Sequence, residues 1–258
     1  MARRGPSAPS LEGYVLHSYD WSESSLIVEL FTRERGRVAV VAKGAKRPYS
    51  QMRSVLLPFQ RVLVTLGRSG SDESAEIHNL RHAEWAGGGP MLSGSALFSG
   101  FYLNELLLKL LARHDPHPAL FERYRASLPA LASGHELLAQ AALRAFELAL
   151  LRETGVLPDL ERITLTQLPL ARDAHYQLVP ESGVVATREE QGSLRGAQLH
   201  ALEAALDDGA AAAALQQACA ECLPALRSAL RALLQYHLGT PALRTRQVMH
   251  RVQRLIET

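Results

Sequence analysis

The sequence predicts an α+β protein, with a small closed β-barrel at the N-terminus and a helical part after it. Three observations carry this. Five short runs of β-branched or alternating apolar residues fall within about the first 86 residues, with no long helix between them. The composition then breaks at AGGGP, residues 86–90. Beyond that break the apolar residues recur with the period of helices.

The five predicted strands are YVLHSYD, SLIVELFT, RVAVVAKG, RVLVTLG and AEIHNLRHAEW. Arg35-Gly36, Pro58 and Gly67-Arg68-Ser69-Gly70 supply the turns between them. In the helical part, Ser95 is a candidate cap for a helix running to about Arg113, where His114-Asp115-Pro116-His117-Pro118 breaks it. A second helix is expected over 118–132 and a third from Gly134 to Thr154, stopping at Gly155. The helical period is lost over 156–190, and HYQLVPESGVVAT reads as a small hairpin turning through Pro180 to Gly183. Helices resume near Gly196, including the AAAAA run at 210–214, and continue to the C-terminus. The domain division is therefore 1–86 and 87–258, the second part carrying a hairpin lobe at about 156–190.

The 258 residues are 47% hydrophobic, enough for a sizeable core. No apolar run reaches membrane-spanning length, because Asn104, Glu105 and Lys109 interrupt LFSGFYLNELLLKLLA. The start, MARRGPSAPS, lacks the apolar core of a secretory signal. It reads as a short disordered lead-in to a cytoplasmic protein. Two cysteines, Cys219 and Cys222, make no disulfide framework. Their CxxC stands in an apolar helical context without two further ligands, so they are expected to be buried helix residues.

The charge is distributed unevenly. The formal net charge is +2, yet Arg33 to Arg68 holds nine cations against one acid, Glu34. Two of the three lysines fall in VVAKGAKRPYS, residues 40–50, at the end of a predicted strand. A window of +8 leaves about −6 for the rest of the chain. Such a surface suits a phosphate backbone, since binding releases condensed counterions. A solvated basic face with no partner is the alternative. Lys43, Lys46, Arg47 and Arg53 are the first candidates for DNA contact, then Arg35 and Arg37. Tyr49 is a candidate for stacking on a base, and Gly44 for close approach of the backbone. Trp21 is expected to pack on the barrel.

No G-x-S-x-G, HExxH or Walker motif occurs, and Lys43-Gly44 lacks the glycine-rich loop before it that a P-loop needs. His78 and His82, and His114 and His117, lack a third ligand in sequence. No catalytic residue, cofactor or metal is expected.

The stretch YVLHSYDWSESSLIVELFTRERGRVAVVAKGAKRPYS resembles the opening of the RecO family of bacterial recombination mediators. The shared features are the WSE-S-L start, the FT-E-GR turn and the VAKGA block. LFSGFYLNELLLKLL, ALRAFELALLRETGVLPDL and YHLGTPALRTRQVMHRV are similar to later segments of the same family. The resemblance implies an N-terminal OB-fold and a C-terminal helical domain with a hairpin-bearing lobe. It implies binding of single- and double-stranded DNA and annealing of complementary strands. It also implies work with RecR in loading the RecA recombinase onto DNA coated with single-stranded-DNA-binding protein. Many members carry four cysteines around the hairpin, but none falls between Gly155 and Glu190 here. Only His175 and acids such as Asp159, Glu161 and Asp173 stand there, so no zinc is expected and packing alone should hold the lobe.

The family's helical domain receives the acidic, apolar-ended tail of single-stranded-DNA-binding protein. By position, Arg144 would meet that tail, with Leu143, Phe146 and Leu150 as apolar neighbours at helical spacing. Arg244, Arg246, Arg251 and Arg254 form a second basic cluster at the C-terminus. The alternative class is a protein-interaction scaffold whose barrel docks an acidic protein, and a metal-dependent hydrolase is a third.

Overall fold

The structure, a computed structural model, describes residues 10–67, 76–207, 212–239 and 243–256. The lead-in at 1–9, Arg68, most of the Gly67–Gly70 turn and the start of the alanine run lie outside these residues. The chain divides into two compact units, Met1–Met91 with Leu111–Phe121, and Leu92–Leu110 with Glu122–Thr258. The first unit thus takes in the loop after the first long helix, which a boundary at 86/87 assigns wholly to the helical part.

Five strands close a barrel in the first unit: β1 (Ser10–Asp20), β2 (Leu26–Thr32), β3 (Gly36–Ala42), β4 (Arg61–Leu66) and β5 (Ile77–Trp85). Their order around the barrel is β1-β2-β3-β5-β4. All neighbours are antiparallel except β3 and β5, which run parallel. This is the five-stranded Greek-key barrel of an OB-fold. β1 is long enough to pair with β4 through Ser10–Tyr14 and with β2 through Gly13–Asp20, and its register shifts between Val15 and His17. A bulge there bends the strand and lets one strand serve two neighbours. Alternate residues fill the interior: Val28 and Leu30, Val38 and Val40, Val62 and Val64 are all fully buried. A short helix, α1 (Gln51–Val55), lies between β3 and β4.

The segment after residue 110 belongs to this barrel for specific reasons. Arg113 forms a parallel bridge with Arg37, and the His114 N–H donates to the Arg37 carbonyl at 3.0 Å. Gly36 has φ +62°, and a Cβ on it would stand 1.8 Å from the Asp115 carbonyl oxygen. Only glycine satisfies both conditions. Phe121 sits 5.4 Å from the Tyr14 ring and 5.6 Å from the Phe31 ring.

The second unit holds α2 (Gly94–Leu110), most of α3 (Pro118–Ala132), α4 (Glu136–Glu153), α5 (Gly196–Asp207), α6 (Ala212–Ala220), α7 (Leu223–Leu238) and α8 (Arg244–Ile256). Helix α2 starts at Gly94, so Ser95 lies inside its first turn rather than capping it. Helix α4 is central: every residue from Ala141 to Leu151 is buried, against α2, α6 and α7. Its two charged members in that span, Arg144 and Glu147, neutralise each other.

The hairpin lobe is a three-stranded sheet, order β7-β6-β8, with β6 (His175–Val179), β7 (Gly183–Thr187) and β8 (Leu194–Arg195). Hydrogen bonds hold it, which corrects the expectation of packing alone. The Val184 N–H donates to Thr164 Oγ1 at 2.8 Å, and Thr164 N–H donates back to the Val184 carbonyl at 3.0 Å. The Ala171 N–H donates to the Tyr176 hydroxyl oxygen at 2.8 Å. The lobe's His175 and Asp159 are otherwise engaged. His175 Nδ1 bonds Ser193 Oγ, and Asp159 accepts from the Glu161 N–H. Among the described residues, no group of three or more His, Cys, Asp or Glu is placed to hold a metal, so this lobe does not fit zinc.

Candidate nucleic-acid interface

The stretch after β3 is a chain of turns. Gly44 has φ +73° and its carbonyl accepts the Arg47 N–H at 3.1 Å; the Arg47 carbonyl accepts the Ser50 N–H at 3.0 Å. Glycine is therefore required for the turn itself, and the Arg47 side chain already lies 3.6 Å from where a Cβ would stand. Lys46 ties these turns to the β1–β2 loop. Its N–H donates to the Ser24 carbonyl, and its ammonium donates to the Ser22 carbonyl at 3.0 Å and pairs with Asp20 at 3.2 Å. One face of the barrel end is thus made of two loops fastened together by one lysine.

Lys43 and Arg47 project from this face, and Arg53 from the adjoining α1; all three are exposed. None of them meets an acid within ion-pair distance among the described residues. Tyr49 is 99% exposed, so it neither packs on Pro48 nor contributes to the core. Trp21, in the β1–β2 loop that Lys46 anchors, is 63% exposed. That corrects the expectation of barrel packing: Trp21 lies in the loop between paired strands, where no second layer covers it. Tyr19, two residues before it near the end of β1, is half-exposed, its ring 4.5 Å from that of His17.

The other cations of the window stand elsewhere. The β2–β3 register pairs Leu26 with Ala42 at one end and Thr32 with Gly36 at the other. Six rises of about 3.4 Å put these ends about 20 Å apart. Arg35 and Arg37 are at the far end from Lys43 and Arg47. Arg37 is mostly buried, 3.6 Å from Glu29, and Arg113 pairs with the other oxygen of the same carboxylate. Burial lowers the pKa of Arg37, against the pull of Glu29, so this guanidinium serves the fold. Arg61 is likewise taken by Glu12. What reads as one basic window is two basic ends and two structural ion pairs.

In the second unit the sequence candidates separate. Phe146 and Leu150 are fully buried core residues. Leu143 and Arg144 instead line a cavity of about 130 Å³, with Phe98, Tyr102, Arg227 and Met249. The Arg144 guanidinium donates to Glu147 Oε1 at 2.7 Å, and the Tyr102 hydroxyl donates to the same oxygen at 2.6 Å. Arg144 Nε is buried with no hydrogen-bond partner among the described residues. Arg227, and the Nε of Arg144 whose terminal nitrogen is paired with Glu147, stand beside apolar walls, which suits an anionic group carried on an apolar chain. Sequence reasoning missed Phe98, Arg227 and Met249, which come from three other helices. Of the C-terminal arginines, Arg244 and Arg251 are exposed, and the side chains of Arg246 and Arg254 lie outside the described residues.

Cys219 is buried in α6, and Cys222 lies in the break before α7, so the CxxC does not share one helix. Burial pushes both thiols up, Cys222 to about 12. Neither is a thiolate at neutral pH. No helix among the described residues is long and apolar enough to cross a membrane.

Barrel topology, loop face and helical second unit together define an OB-fold protein carrying a C-terminal α-helical module. Comparison with known proteins agrees over both parts. Residues 9–87 match the family profile described as Recombination protein O N terminal, and residues 91–247 match Recombination protein O C terminal. DNA repair protein RecO of Verminephrobacter eiseniae is 53% identical over 243 residues, covering 94% of this chain and 95% of its own length. The protein of that name from Acidovorax ebreus is 51% identical over 266 residues, 98% and 99% of the two chains. The chain belongs to the RecO family of DNA repair proteins.

Proposed function

We propose that this chain is a DNA-binding, strand-annealing recombination mediator. In this reading it works with RecR to load RecA on DNA coated by single-stranded-DNA-binding protein. The observation that carries the DNA reading is the barrel end whose linked loops and adjoining helix carry exposed Lys43, Arg47 and Arg53 together with exposed Tyr49 and Trp21. Unpaired cations take phosphates without reading bases, and every base offers a face to an aromatic ring. Annealing needs this indifference to sequence. Lys46 and Arg37 act on the fold behind the surface, and Arg35 belongs to a separate basic end. The cavity at Arg144 and Leu143 is the proposed seat of the acidic partner tail, with Arg227 as a second cation.

Fluorescence anisotropy of a labelled single-stranded oligonucleotide against salt tests the DNA reading. A Lys43→Ala/Arg47→Ala/Arg53→Ala variant should bind more weakly. Its slope of log K against log salt should be shallower by about 2, since each lost phosphate contact on a single strand removes about 0.7. If wild type binds no DNA at low salt, a protein-docking scaffold replaces the mediator reading.

A further inference from the structure

One wall of the Arg144 cavity has an uncommon support. Thr245 and Met249 line the cavity from α8, four residues apart and so on one helical face. Helix α8 reads RTRQVMHRVQRLI, and its Val248 is 48% exposed. What meets its first turn is a carboxylate from α2. Glu105 Oε1 accepts the Arg244 N–H at 2.9 Å. Oε2 accepts the Thr245 N–H at 2.9 Å and the Thr245 hydroxyl at 2.6 Å. Burial alone would raise the Glu105 pKa, but hydrogen bonds from Thr245, Arg244 and Lys109 outweigh it and leave the carboxyl below its ordinary value. A charged acceptor on the free N–H groups of a helix start is among the stronger single fastenings a helix can have. Here it joins the helix to a different helix, so it fixes position as well as helicity.

We propose that Glu105 is a positioning residue for the cavity: it seats α8, and the seated helix supplies the wall that completes the partner-peptide site. The proposal rests on reading the cavity as a peptide site. Glu105 itself is not among the residues lining the cavity; it acts through Thr245 and Met249.

The test uses the full chain, a labelled acidic peptide ending in leucine residues, and two readouts. Peptide affinity is measured by anisotropy, and seating of α8 by amide hydrogen exchange at Thr245. In wild type, Thr245 should exchange slowly, and more slowly with peptide bound. Glu105→Gln keeps the side-chain length and removes the charge. It should speed that exchange and weaken the peptide about two- to fivefold. Lys109→Ala leaves the Arg244 and Thr245 donors to Glu105 in place, and should move both readouts less than Glu105→Gln. Unchanged Thr245 exchange in Glu105→Gln overturns the seating. Faster exchange with unchanged or tighter peptide binding overturns the claim that α8 completes the site. If wild type ignores the peptide while Glu105→Gln still speeds exchange, the peptide reading of the cavity fails and the seating of α8 by Glu105 stands alone.

Discussion

Trp21 and Arg37 show how one residue can mean the opposite of its type. A tryptophan is expected inside and an arginine outside, because burying the indole is favourable and burying the guanidinium costs desolvation. Here Trp21 is exposed in a loop, while Arg37 is mostly buried beside Glu29. The indole therefore stands where a base could stack on it. Trp21→Ala should weaken a single-stranded oligonucleotide about tenfold, in line with roughly 1–3 kcal/mol per stacked base. Its salt slope should match wild type, because no phosphate contact is lost. Unchanged affinity in the same anisotropy titration would return Trp21 to a bystander role. Arg37→Ala should do the reverse: little change in salt slope, with a lower melting temperature, because buried Glu29 loses one of its two cationic partners.

Single elements are held by contacts that sequence spacing does not suggest. Strand β5 carries His78, 4% exposed, whose ring lies 5.3 Å from that of His114 in the segment that returns to the barrel. Arg35 of the β2–β3 turn also faces it. Burial, then His114 and Arg35, lowers the His78 pKa below 6.5. The folded barrel thus binds this proton less readily than the unfolded chain does. The stability that neutral His78 allows is complete above about pH 6.5 and is lost as pH falls from there towards its folded pKa. Thermal melts across pH 7.5 to 5 should show a falling midpoint, and His78→Phe should flatten that fall. A variant as pH-dependent as wild type would assign the effect to other groups.

At the scale of the whole molecule, each of the two units has its own core, and the two free cysteines report on one of them. Cys219 is fully buried and Cys222 nearly so, within the second unit. Their raised pKa values leave almost no thiolate at neutral pH. Reaction with a disulfide reagent should therefore be slow in the native protein and should follow opening of the second unit in denaturant. Labelling at the rate of a free thiol would mean that the α6–α7 break opens readily in the native state.

The elements themselves were legible because each is a local pattern. Alternation marked the five strands, 3.6-residue periodicity marked α2 to α4, and a turn between two β runs marked the hairpin. The two-residue strand β8 and the five-residue α1 were not legible, being too short for any period to show. Charge was legible as a sum and not as a surface. Lys43, Arg47 and Arg53 emerged as a face, but the same nine-cation window held Arg37 and Arg61 in ion pairs with Glu29 and Glu12. Those partners lie on neighbouring strands, and only the barrel register brings them together as diagonal neighbours: Arg37 stands opposite Phe31, two residues from Glu29, and Arg61 opposite Tyr14, two residues from Glu12. The cavity is the clearest case. From a single helix, Arg144 was the candidate for the tail, and Leu143, Phe146 and Leu150 were equivalent apolar neighbours at helical spacing. Packing of α4 against its neighbours buried Phe146 and Leu150 and left Leu143 and Arg144 to meet Phe98, Arg227 and Met249. By itself the sequence determined the order of strands and helices, the family and the basic character of the window from Arg33 to Arg68, since these follow from local pattern and composition. Which side chains are left exposed, paired or lining a cavity was decided by tertiary structure alone, because burial and ion pairing depend on what the rest of the chain brings alongside.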